Sequence, residues 1–324
     1  MRRILIVAKK EVQDAIRSKQ ALALIAFLSL SILLSVWVAS AAFSVKMDEY
    51  SLYLAALTPG MQAQELARPQ LFPLTLIRSG IEYIEILGAL FAFILGFTSV
   101  SRERSRGTSL LLLSRPIKKS EILLAKVLGL FVIWTVVLGS IYLTSVAAII
   151  GIGHGRLLGI DYLRLAIVFL VADVYLLFWS FFSVAITARL KQYSSAILVG
   201  ITSWLIVVLV VPQIGDTMDV DNQIPGGLFG SLGIVKSTET SILAQFHTFD
   251  VIRNGLEVSS ITKLFERVAF AFLGIKDKYN QLPISQVAKA LESSLIALFI
   301  STAVIGIITV MISRSEKTLR RRNS

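Results

Sequence analysis

Three acidic side chains, Asp173, Glu82 and Glu85, stand inside stretches of sequence otherwise almost free of charge. A carboxylate held at mid-bilayer costs at least ~2.5–3.5 kcal/mol, so such a group must face protein or water. Asp173 lies about ten residues into one apolar run. It reads either as a lining or gating group for a cationic or polar substrate, or as a hydrogen-bonded packing contact with a neighbouring helix. Glu82 and Glu85 are about one helical turn apart at the start of another run, and that spacing predicts a shared face. The pair reads either as a hydrated helix end or as a site for a proton or cation.

Chemistry beyond these three acids is excluded by what is missing. The dipeptide Gly-Lys does not occur, so the chain carries no Walker A phosphate loop. Gly151-Ile152-Gly153-His154-Gly155 lacks the third glycine of a Rossmann turn and follows an apolar helix, so it reads as a flexible connection. The histidines are His154 and His247, and there is no cysteine, so a zinc site and a thiol nucleophile have no ligands. No G-x-S-x-G elbow and no N-x-[ST] acceptor appear. Hydrolase chemistry would need a paired nucleophile and base, which one buried aspartate does not supply.

The elements around the acids are membrane spans. Of the 324 residues, 55% are hydrophobic and only 16% charged. Soluble domains carry about 25% charged residues. The apolar residues gather in blocks long enough to cross a bilayer at ~20 residues each. Six spans follow: Ala21–Val45, Gly80–Val100, Val127–Ile150, Leu163–Ala188, Ser194–Val211 and Ser293–Ile312, the fifth stopped by Pro212. The fold class is therefore an all-α membrane protein. The net charge of +11 is explained by topology rather than by nucleic acid, because segments 1–20, 101–126, 189–193 and 313–324 hold 20 of the 32 basic residues. Both termini are thereby expected in the cytoplasm of a multi-pass protein, with Arg320-Arg321-Arg322 anchoring the tail at the anionic leaflet.

Residues 1–20 read as an amphipathic interfacial helix, with Ile4, Ala8, Val12 and Ala15 on one side and Arg3, Lys10, Asp14 and Arg17 on the other. Segment 213–292 reads as external and helical, with candidates at Ser237–Arg253 and at Ser260–Leu273, the latter ended by Gly274. Pro283 then begins a helix leading into the last span. The expected layout is an interfacial helix 1–20, spans one to five over 21–212, the external segment 213–292, span six over 293–312 and a basic tail 313–324.

The loop 101–126 joins spans two and three. Gly107-Thr108 can cap a short helix, Leu110–Leu113 gives it an apolar body, and Pro116 ends it. A charged-flanked apolar knob of this kind suits either a groove on a soluble partner or the headgroup layer. The run also resembles the signature of type 2 ATP-binding-cassette (ABC) permeases, E-R-x-x-G-T-x-E-x-L-L-S-R-P-I-x-[RK]-x-E-I-x-x-x-K. Glu103, Arg104, Gly107, Thr108, Leu112, Leu113, Ser114, Arg115, Pro116, Ile117, Glu121, Ile122 and Lys126 match it. Ala8-Lys9-Lys10-Glu11-Val12 is similar to the family's connecting helix, and the likeness covers 1–212 and the last span but not 213–292.

The resemblance implies that the loop is a coupling helix seated in a cleft of a separate ATPase subunit. Glu103, Arg104, Gly107, Thr108, Leu111, Leu112, Leu113, Arg115, Pro116, Glu121 and Lys126 would be its coupling residues. The family's acidic residue after Gly-Thr stands here as Leu110, so that salt bridge is absent or falls to Glu103. The implied assembly has two ATPase chains and two permease chains, identical or homologous, in the plasma membrane. It exports its substrate, with ATP and Mg bound only to the ATPase and no cofactor in this chain. Segment 213–292 would cover the outer mouth or receive an external partner. An ATP-independent secondary transporter using Asp173 and Glu82/Glu85 would instead call for inverted repeats, which the sequence lacks. A non-transporting scaffold would leave 103–126 unexplained.

Overall fold

The computed structural model describes residues 2–56, 72–105, 119–190, 192–218, 232, 251–252, 254–255, 258–275, 279 and 282–314. Among these the chain is helical and contains no strand. The helices are α1 (Arg2–Arg17), α2 (Gln20–Ala56), α3 (Arg78–Tyr83), α4 (Ala89–Ser105), α5 (Lys119–Gly151), α6 (Gly159–Arg189), α7 (Tyr193–Trp204), α8 (Val211–Thr217), α9 (Ile261–Phe272), α10 (Ile284–Ala290) and α11 (Glu292–Arg314). A 3₁₀ turn, Pro73–Ile77, and a π segment, Ile84–Gly88, build α3 and α4 into one rod. A second π segment, Leu205–Val210, joins α7 to α8.

Six of these rods are long and apolar enough to cross a membrane: Gln20–Ala55, Pro73–Arg102, Leu124–Gly151, Gly159–Arg189, Tyr193–Gly215 and Glu292–Ile312. Each overlaps an expected span. The fifth differs at its end, because the helix runs through Pro212 instead of stopping there. In an α-helix the proline ring would collide with the carbonyl four residues back. The π turns avoid this by widening the ring of bonds, and Val211 N–H bonds to Ile206 O, five residues back.

The chain divides into two compact units. The first comprises Met1–Gly88, Ala125–Asp173 and Val268–Leu291. Its helix α2 buries Leu24, Leu28, Ile32 and Val36, spaced four apart on one face, while Leu30, Leu34, Trp37 and Val38 stay exposed as a lipid-facing side. Ser35 ties α2 to the second rod, since its Oγ donates to Leu76 O at 3.0 Å and accepts from Gly80 N–H at 3.0 Å. Ile32 packs closely on Gly80, where a Cβ would collide with its Cδ1 unless that side chain shifted. The turn after α5 is packed rather than loose, correcting the expectation for Gly151–Gly155. Gly153 and Gly155 are buried, and a Cβ on Gly153 would lie 2.5 Å from Leu76 Cδ1.

The second unit comprises Ala89–Leu124, Val174–Arg267 and Glu292–Ser324. Hydroxyls bond across its helices to main-chain carbonyls. Ser180 Oγ donates to Ala92 O at 3.2 Å, and Ser183 Oγ to Phe93 O at 2.6 Å. Thr302 and Thr309, two turns apart on α11, reach Val174 O at 3.2 Å and Phe181 O at 3.0 Å. Small residues bring α4 and α6 this close, as is usual between apolar helices. A Cβ on Gly96 would collide with Ser180 O.

Helix α9 begins where the Ser260–Leu273 pattern places it. Ser260 Oγ lies 3.4 Å from Lys263 N–H at its start, and Gly274, at φ 69°, reverses the chain at its end. Ile275 N–H closes that end on Phe270 O at 3.0 Å. The helix lies against the middle of α6 rather than beyond its end. Phe265 stacks on Tyr175 at 4.7 Å, and Tyr175 Oη meets Thr262 Oγ1 at 3.3 Å. Tyr175 lies 16 residues into α6, or ~24 Å along its axis. The Ser237–Arg253 candidate falls almost wholly outside the described residues.

Two glycine replacements separate packing from propensity. Gly96→Ala drives a methyl into a fixed carbonyl and should cost about 1–3 kcal/mol. Gly139→Ala, with nothing within 4 Å of the added carbon, should be neutral or stabilising. Thermal unfolding midpoints in one detergent should fall for the first and not for the second.

Candidate functional site

The two arms of the 101–126 loop are described and its tip is not. Helix α4 carries the chain to Ser105, and α5 takes it up at Lys119. Gly107, Thr108, Leu111, Leu112, Leu113, Arg115 and Pro116 lie outside the described residues, as do the side chains of Glu103 and Arg104. Glu121 is half-buried in the first turn of α5.

Lys126, a coupling residue by the resemblance, turns inward. Its Nζ lies 2.8 Å from Glu11 Oε1 on α1, with only 4% of the lysine side chain and 10% of the glutamate side chain exposed. Val7 and Ala8 close over Ala125 beside the pair. One turn further along α5, Gly129 has no side chain. A Cβ there would sit 2.8 Å from Glu11 Cβ and 3.4 Å from Ala8 O. An apolar contact, an ion pair and the close fit of Glu11 at Gly129 thus fix α1 on the first turns of α5.

This docking corrects the face assigned to α1. Val7, Ala8, Glu11 and Ala15 are buried, whereas Val12 is half-buried and Leu5, Ile6 and Ile16 are exposed. Sequence reasoning placed Glu11 only within the run similar to the family's connecting helix. The available signal was its position three residues after Ala8 and four before Ala15, which puts a charge on the apolar stripe. A turn at Ser18 and Lys19 separates α1 from α2, with Lys19 in the left-handed region at φ 59°.

Asp173 is buried, and its Oδ2 accepts from Thr135 Oγ1 on α5 at 2.8 Å. The same hydroxyl lies 2.9 Å from Phe131 O, so one proton serves two acceptors. Asp173 Oδ1 has no hydrogen-bond partner among the described residues.

Glu82 and Glu85 do not share a setting. Glu82 is partly exposed and accepts from Arg78 Nε at 3.0 Å, and the Arg78 guanidinium also lies 5.3 Å from the Phe270 ring centroid. Glu85 is buried within the π segment Ile84–Gly88. The change of helix geometry at Ile84 disrupts the α-helical spacing behind the shared-face expectation. No group of three or more potential metal ligands occurs among the described residues.

These features define a polytopic helical membrane protein whose spans two and three extend toward a polar connecting loop, with an amphipathic helix docked at its root. The chain belongs to the ABC-2 transporter family, for a family profile described as ABC-2 family transporter protein matches residues 5–313. No curated protein matches it. It is thus an ABC permease subunit, a multi-pass membrane protein of a class that associates with an ABC ATPase and is generally non-catalytic.

Thr135→Val leaves a buried carboxylate oxygen without its donor and should cost about 1–3 kcal/mol. Asp173→Asn keeps an acceptor for Thr135 and should cost less. Thermal unfolding of the purified chain in detergent compares them directly, and equal losses would refute the assignment of the Thr135 bond.

Proposed function

We propose that this chain receives ATP-driven motion through residues 103–126 and converts it into rearrangement of its spans, moving substrate outward. Family membership over residues 5–313 carries the reading. The missing Gly-Lys dipeptide supports a division of labour in which ATP and Mg bind a separate subunit. The working unit has two ATPase chains and two permease chains. Both termini face the cytoplasm of the plasma membrane, in keeping with the density of basic residues in 1–20, 101–126, 189–193 and 313–324.

On this orientation α9 is a re-entrant helix. Its approach to Tyr175 and the bond from Ser260 Oγ to Val207 O at 3.3 Å support that placement. The rest of 213–292 caps the outer mouth. Asp173 acts in helix packing, a role its Thr135 bond supports.

Purification of a tagged copy from its native membrane in mild detergent tests the reading. A stoichiometric companion with a phosphate-binding loop is the expected result. Recovery without any ATPase across several detergents would refute it. Replacing Leu112 and Leu113 together with aspartate should abolish ATPase association while leaving membrane insertion intact, which co-purification measures. Asp173→Asn should leave the ATPase turnover of the assembled complex unchanged, and a marked change would return Asp173 to the pathway.

A further inference from the structure

We propose that Glu11 and Lys126 are a positioning pair that makes α1 and the first turns of α5 one rigid piece, so that motion received at the loop reaches the interfacial helix through this ion pair. The inference rests on the coupling role proposed for 103–126.

Three observations carry it. The pair joins residues 115 apart in sequence at 2.8 Å, in a contact almost closed to water. Gly129 leaves room for Glu11, whose Cβ would lie 2.8 Å from a Cβ added there, and Ala125 completes the contact beneath Val7 and Ala8. Finally, Lys126 is the last residue of the loop's motif, only seven residues from the start of α5, and an unbroken helix connects them. The hydrogen bonds of an unbroken helix tie each turn to the next, so its turns move together. The free end of α5 nearest the loop tip and the docked end at Glu11 therefore cannot move independently without breaking a buried ion pair. Removing one partner of such a pair breaks the contact at 2.8 Å, whereas exchanging the two charges keeps it. The exposed side of α1, which includes Lys9, remains in the headgroup layer and would be carried along.

The chain has no cysteine, so single cysteines can be introduced without background. Nitroxide labels at exposed Lys9 and Leu128 would report the separation of α1 from α5 in the complex with its co-purified ATPase, in lipid nanodiscs. The expected result is one narrow distance, unchanged between the nucleotide-free and vanadate-trapped states. Glu11→Gln should broaden it. It should also lower ATPase turnover of the assembled complex by about fivefold or more, the scale of a typical coupling between sites. KM for ATP should be unaffected, because the nucleotide site is on the other chain. The double reversal Glu11→Lys with Lys126→Glu should restore both the narrow distance and the turnover.

Failure of the reversal to rescue would overturn the proposal, as would an unchanged turnover in Glu11→Gln or a distance that shifts on trapping. Should Glu11→Gln be lost from the membrane, the paired change Glu11→Gln with Lys126→Met removes both charges and takes its place under the same criteria. Absence of an ATPase from the wild-type preparation would overturn the coupling reading and this proposal together, and it is seen before any variant is made.

Discussion

Hydrocarbon offers no water to a peptide N–H or C=O, and each group left unsatisfied there costs several kcal/mol. That constraint governs how this chain departs from straight α-helix. At Pro212 the backbone widens into π turns instead of breaking, so the fifth rod continues to Thr217. Helix α9, which reaches the level of Tyr175, closes its C-terminal end through a left-handed glycine and two main-chain bonds. Its N-terminal serine spends its hydroxyl both toward Lys263 N–H and toward Val207 O. Within a membrane, irregular backbone is tolerated only where protein or water supplies the partners.

The same constraint shapes side-chain packing within each unit. Lipid is as apolar as leucine, so burial alone gives helices little reason to associate. The second unit uses close approach and hydroxyls instead. Ser180 and Ser183 donate to carbonyls that already accept within their own helix, using the second lone pair of each oxygen. Thr302 and Thr309 do the same two turns apart, which fixes the rotation of α11 about its axis as well as its position. In the first unit Ser35 acts as both donor and acceptor at the start of the second rod, beside the glycine on which Ile32 packs.

Much of this was legible in the sequence because its signals are long-range in composition and local in chemistry. Spans need only ~20 apolar residues, and all six expected runs coincide with helices. The boundaries of α9 rest on a serine and a glycine, which act within one turn. What was not legible depends on pairing across the chain. Glu82 and Glu85 share a face only on an unbroken α-helix, and no local residue announces the π segment that separates them. Gly153 looks like a hinge until Leu76 is placed against it. Lys126 belongs to a motif that suggests an outward role, and only the docking of α1 reveals its partner.

That partner raises the question of why an ion pair sits where leucines would pack. Desolvating two charges offsets most of their attraction, so a buried pair adds little to stability over an apolar replacement of the same volume. It does impose geometry. Val7, Ala8 and Ala125 are small and smooth, and such a contact tolerates sliding by a residue. A carboxylate and an ammonium at 2.8 Å do not, because a slip of one residue on either helix turns a charge away from its partner. Gly129, which leaves room for the Glu11 Cβ, favours the same register as the ion pair. The contact is therefore built for fixed relative position rather than for maximal adhesion. That is the property a helix at the root of the 101–126 loop needs if, as proposed, displacement at one end is to arrive undiminished at the other.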